Sequence, residues 1–141
     1  MPFSIDIDDV NSLVLSQYWG VADNAGFLGY LEAMATAGPF DERFRLLAVF
    51  HDDVIFEVDA NTVRAGAAMP AVLPLTCKRL IVASQPLAFG LSRMYTLEAS
   101  DKTEQYTVVE NIADACRLLD LDVSQLKLRV PKKLGPPSPA L

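Results

Sequence analysis

Apolar positions in this chain change period from segment to segment, and the changes mark its elements. Phe3, Ile5 and Ile7 alternate with Ser4 and Asp6, the period-two pattern of a half-buried strand. Asp8-Asp9-Val10-Asn11 is a turn signal, and Leu13–Trp19 continues as a second strand. Two short strands joined by a polar turn predict an antiparallel hairpin. Leu13, Leu15 and Gln17 fall on one face of the second strand, and Val14, Ser16 and Tyr18 on the other. Gly20 closes the hairpin. Asp23 or Asn24 suits an N-cap. From there Phe27, Leu28, Leu31, Met34 and Ala35 recur at helical spacing up to Gly38-Pro39. That pattern predicts a helix over residues 23–37.

Arg45–Phe50, RLLAVF, is apolar without alternation, as expected of a central strand covered on both faces. Val54–Val58 reads either as a short strand or as a loop pinned by Ile55 and Phe56. Asp59 or Asn61 can cap an Ala-rich helix over Ala60–Val72, which Pro70 shortens or kinks. Arg79–Ser84 is a second buried strand. Pro86 then opens a helix to Glu98 whose inner stripe is expected to be Leu87, Leu91 and Met94, with Gly90 marking a close approach to the sheet. Gln105–Val109 is the last strand. Asn111 caps a closing helix, Ile112–Leu119, with Ile112, Ala115, Cys116 and Leu119 inward.

The order is ββαβαβαβα. Strands separated by helix-length crossovers imply right-handed βαβ units and parallel pairs. The hairpin adds an antiparallel edge. The expected fold class is α/β, a single domain with a mixed sheet of about five strands and helices packed on it.

Length and charge refine this picture. At 141 residues the chain suits one domain with a substantial core. Residues 1–126 hold 8 Lys and Arg against 18 Asp and Glu, while residues 127–141 hold Lys127, Arg129, Lys132 and Lys133 and no acid. An acidic body repels phosphate backbones, so nucleic acid is not an expected partner. The basic, proline-rich tail, residues 127–141, reads as an extended or disordered terminus outside the domain of residues 1–126. An acidic surface, its own domain's included, is a partner it could touch. No apolar run is long enough to span a bilayer. The N-terminus MPFSIDIDDV lacks the basic start of a signal peptide, so the cytoplasm is expected. Cys77 and Cys116, without CxxC spacing, read as buried thiols.

Candidate chemistry is sparse. The single histidine, His51, follows the strand RLLAVF and precedes Asp52, Asp53, Glu57 and Asp59. The end of a strand in an α/β sheet is a common ligand position, so His51, Asp52 and Asp53 are a candidate polar, metal or acid–base site, set against a plain solvated loop. The glycines form neither GxGxxG nor a P-loop, and no GxSxG is present. No cofactor is expected. Thr62 lies at a helix start beside Arg64, where a phosphate would be favoured. Phe89 and Tyr95, off the expected inner stripe of their helix, are a candidate interaction face.

The segments RLIVASQPLAFGLSRMYTLEAS and QYTVVENIADACRLLDLD resemble the SpoIIAA-like proteins, small bacterial domains with the STAS fold of anti-sigma factor antagonists. In that family an apolar strand leads into a helix of the type laxglarmf, then into a strand and a closing helix ending in eeAlxwL. Ala115 and Leu119 stand in the matching places. The resemblance implies a non-enzymatic regulatory or protein-interaction module, with an unidentified protein partner or a second copy. Anti-sigma factor antagonists carry a DSSG motif with a phosphorylated serine. The corresponding region here, Val58–Thr62, has no DSSG, and Thr62 is its only hydroxyl. Two alternatives stand beside this reading. One is a binder of a small apolar ligand or lipid between the sheet and the helices Ala60–Val72 and Pro86–Glu98. The other is an enzyme using His51 and Asp53.

Overall fold

In a computed structural model that describes residues 3–69, 73–74, 76–99 and 106–129, the chain forms a five-stranded mixed sheet with four helices. The strands are β1 (Phe3–Asp8), β2 (Leu13–Tyr18), β4 (Arg45–Phe50), β6 (Arg79–Ala83) and β7 (Tyr106–Val109), and they lie side by side in chain order. β1 runs antiparallel to β2, and every later pairing is parallel. Two further strands, β3 (Val21–Asp23) and β5 (Ile55–Glu57), pair in parallel as a separate small sheet. The sequence reading left β5 open between strand and loop and did not include β3, because three residues carry too little periodicity to register.

The hairpin turn closes as its residues suggest. The Asp8 carboxylate accepts hydrogen bonds from the backbone and side-chain amides of Asn11 at 3.0 and 2.7 Å. These bonds hold the Asp8 carboxyl below its ordinary range. The helices α1 (Asn24–Ala37) and α2 (Ala60–Ala67) are capped by Asp23 and Asp59 respectively. Asn24 and Asp59 also bond each other reciprocally, amide to carboxylate and backbone N–H to amide oxygen, both at 3.0 Å. The two helices therefore start in register above the β3–β5 pair. α2 ends at Ala67, earlier than the reading to Val72, and its expected continuation beyond Met69 falls largely outside the described residues.

Helices α1, α2 and α3 (Pro86–Ala99) cover one face of the sheet and α4 (Ile112–Leu119) covers the other. Alternation along the strands feeds both layers. Val14, Tyr18, Leu46, Ala48 and Ile81 enter the first core; Leu13, Leu15, Leu47, Val49, Leu80 and Val82 enter the second. The C-terminus of α4 is met by cations, as its dipole favours. Arg45 donates to the carbonyl of Leu119, and Lys78 donates to that of Leu118 at 3.4 Å.

Two expectations about α3 are corrected. Its inner face is Ala88 and Ser92, with Leu91, Met94 and Tyr95 packed half-buried on the core; Leu91 and Met94 stand as expected, whereas Leu87 is 56% exposed. Small residues sit where the helix touches the sheet, so side-chain size rather than hydropathy sets the face. Gly90 has open space where a Cβ would stand, and so marks no close approach. The close approach is at Gly66 of α2, where a Cβ would meet Leu31 Cδ1 and Phe27 Cε2 of α1 at 2.7 Å each.

The boundary expected after residue 126 falls inside a docked segment. After a short 3₁₀ turn (Val123–Gln125), Lys127–Arg129 continue on the α4 face, where Leu126 and Leu128 pack on its core. The rest of the expected tail, residues 130–141, lies outside the described residues. Among the described residues, no helix is long and apolar enough to cross a membrane.

Candidate functional site

Two features stand out from the packing: an aromatic cavity on the three-helix face and a polar clamp on the other. The cavity has a volume of about 100 Å³ and lies between the sheet and helices α1, α2 and α3. Tyr18, Leu46, Ala48, Phe50, Ile81 and Tyr106 floor it from the strands. Phe27, Tyr30, Leu31 and Met34 come from α1, Val63 from α2, and Leu91, Ser92 and Tyr95 from α3; Phe56 of β5 and Val58 just after it also line it.

The aromatic walls form two arcs. In the first, Tyr30, Tyr18, Phe50 and Phe56 follow one another with ring centroids 4.5, 4.2 and 5.1 Å apart, and the Tyr18–Phe50 pair is stacked at 16°. In the second, Phe27, Tyr95 and Tyr106 meet edge to face at 6.3 and 5.4 Å. Both geometries are favoured by the ring quadrupole. Tyr30 donates to Ser16 Oγ at 2.9 Å, deep in the sheet. Burial pushes the Tyr30 phenol up to about 12 and the Tyr18 phenol well above its ordinary range, so both stay neutral and protonated. Arg79 forms one end of the wall. It is 2% exposed, and its guanidinium donates to the carbonyls of Cys77, Leu73 and Pro74 at 2.8, 2.6 and 3.0 Å. It also lies 5.7 Å from the centroid of the Tyr106 ring.

The clamp is built on Gln17, which is 1% exposed. Its amide donates to the Lys127 carbonyl at 3.1 Å, and its oxygen accepts from the Arg129 N–H at 2.6 Å. A side chain thus takes the hydrogen-bonding place of a neighbouring strand. The same oxygen faces His51 Nε2 at 2.9 Å; because Gln17 Oε1 is an acceptor, Nε2 is the protonated nitrogen here. Arg129 lies over the Trp19 ring, 4.3 Å from its centroid, and 3.8 Å from the Asp53 carboxylate. The basic tail therefore meets an acid of its own domain. Burial, and next the Arg129 charge, hold the His51 imidazole below its ordinary range.

The residues singled out from the sequence part company in the structure. His51 turns to Gln17 and the docked segment. Asp52 turns to α3, where its carboxylate accepts from the Ser84 hydroxyl and its carbonyl from the Gln85 amide. Asp53 faces Arg129. Among the described residues, no group of three His, Cys, Asp or Glu side chains is placed to hold a metal ion. Thr62 is half-buried in the first turn of α2, and its backbone N–H donates to Asp59 Oδ1 at 2.8 Å. Phe89 is half-buried, and Tyr95 faces the cavity rather than outward, because α3 is turned by its small residues. Cys77 and Cys116 are buried free thiols, raised above their ordinary range by that burial.

Sequence reasoning missed Arg79 and the clamping role of Gln17. The signal for each was a long polar side chain at a position whose strand pattern demands burial. Comparison with protein families, with curated proteins and with solved structures found no match. The resemblance to SpoIIAA-like proteins rests on the sequence pattern alone.

Proposed function

We propose that this protein binds a small apolar ligand in the cavity between the sheet and helices α1, α2 and α3. The observation that carries this reading is the cavity itself, about 100 Å³ with mainly apolar walls. Native cores are close-packed, with few voids larger than a water molecule. The cavity is partly open, and an apolar occupant gains about 25 cal/mol for each Å² of apolar surface it takes out of water. The volume sits below the ~300 Å³ at which drug-sized sites begin, so the ligand is small.

Native mass spectrometry of the gently purified protein, before and after organic extraction, tests the proposal. The expected result is a retained apolar species whose removal lowers Tm and whose return restores it. A bare polypeptide mass with a Tm indifferent to extraction overturns it. In that outcome the regulatory interaction module implied by the SpoIIAA-like resemblance becomes the better reading, and sedimentation for a dimer or a partner complex is its own test.

A further inference from the structure

Resting on the cavity reading, we infer that the occupant is an uncharged single-ring aromatic molecule, held between the two arcs of aromatic side chains. Three observations carry this. The first is allocation. The chain has 4 tyrosines, and Tyr18, Tyr30, Tyr95 and Tyr106 all line this one cavity. Tyrosine brings a flat face with a defined quadrupole and keeps one polar edge, so four of them around one cavity offer an aromatic ring both faces and edges to pack on.

The second is geometry. One arc is tilted and stacked and the other runs edge to face. A ring placed between them meets both faces and edges, and gains the quadrupole contacts that a saturated ligand of equal area lacks. That gain corresponds to about tenfold in affinity.

The third is size. A cavity of about 150 Å³ accepts benzene. This one is about 100 Å³ and partly open, so a single ring is accommodated as the half-buried walls give way, and a fused ring system demands a larger displacement. Phe27, Leu31, Leu91 and Tyr95 are only half-buried, which leaves that side able to yield to a short substituent. Charge is disfavoured by a lining that is mainly apolar. Arg79 shares the wall, so an anionic ring is the natural challenger.

The test is a titration of the extracted full-length protein followed by NMR on the tyrosine ring resonances. Trp19, which does not line the cavity, serves as the internal control. The probes are toluene, methylcyclohexane (the same shape without π electrons) and benzoate. Toluene is expected to saturate the tyrosine shifts with Trp19 unmoved, and to bind about tenfold more tightly than methylcyclohexane. Ala48→Leu, which fills the floor, is expected to weaken toluene at least tenfold. Ser92→Leu carries the same test from α3 if the first variant does not fold.

Equal or tighter binding of methylcyclohexane overturns the aromatic assignment and leaves the apolar-ligand reading standing. Tighter binding of benzoate overturns the absence of charge. If no probe binds and a retained species is still found by mass spectrometry, the ligand class is wrong and the cavity reading holds. If no probe binds and nothing is retained, both fall.

Discussion

Cutting the chain after Leu126 removes the docked segment and exposes how much Gln17 depends on it. The amide of Gln17 loses its bonds to Lys127 and Arg129, each contributing about 1 kcal/mol net. Arg129 leaves the Trp19 face, a contact of about 0.5–1 kcal/mol at a partly exposed site. Leu128 gives up its half-buried place on the core, about 1 kcal/mol. The Arg129–Asp53 pair, at 3.8 Å and partly exposed, contributes close to nothing. The expected loss is about 3.5–4 kcal/mol, or roughly 12 °C in Tm. The decisive measurement is a double-mutant cycle with Gln17→Leu, read by urea unfolding. In the full chain the substitution strands the Lys127 carbonyl, the Arg129 N–H and His51 Nε2 and costs about 3 kcal/mol. In the shortened chain it strands His51 Nε2 alone and costs about 1 kcal/mol. The expected coupling is therefore about 2 kcal/mol. If Gln17→Leu costs the same in both backgrounds, or the truncation costs under about 1 kcal/mol, the clamp is a contact without energetic weight and the reasoning fails.

Three further outcomes follow from the geometry. Gly90→Ala, with open space at its Cβ, should raise stability by up to about 1 kcal/mol in thermal melts, whereas Gly66→Ala pushes Phe27 and Leu31 aside and should lower it by about 1–3 kcal/mol. Asn111→Ala removes the cap that accepts from the Asp114 N–H at 2.8 Å and should cost about 1 kcal/mol; an unchanged urea midpoint would show that α4 is held by packing alone. His51 has a folded pKa below its unfolded value, so the unfolded chain binds more protons and stability should fall as pH drops through about 6.5. It is the only histidine, and Arg129, Asp53 and Asp52 are the charges acting on it, so His51→Asn should flatten that slope between pH 5 and 7, and truncation after Leu126 should reduce it.

The main sheet, its parallel pairs and the antiparallel edge were legible because burial on two faces writes unbroken apolar runs, and RLLAVF and RLIVA are such runs. The cap at Asn111 was legible, and those at Asp23 and Asp59 were each narrowed to one of two residues, because each is a short polar acceptor just before a helical stripe. The face of α3 was not, because Ala88 and Ser92 win the contact with the sheet by being small, which hydropathy does not weigh. The cavity was foreseen by its place between the sheet and helices, but not by its lining. Its walls come from eight separate elements, and a void is a property of how they fail to meet, which no window of sequence holds. The docking of Lys127–Arg129 was hidden by composition, since a basic, proline-flanked stretch looks solvated until a buried amide more than a hundred residues away is found to need it.

The chain-order sheet and the clamp together set a timetable for synthesis. Each parallel strand is laid beside the one made just before it, so the three-helix face can assemble progressively as the chain leaves the ribosome. Gln17 is made early, and its partners at Lys127 and Arg129 come last among the described residues. The opposite face of the sheet therefore remains unlatched through most of translation. On a stalled nascent chain, protection of the α4 face is expected only once residue 129 has emerged.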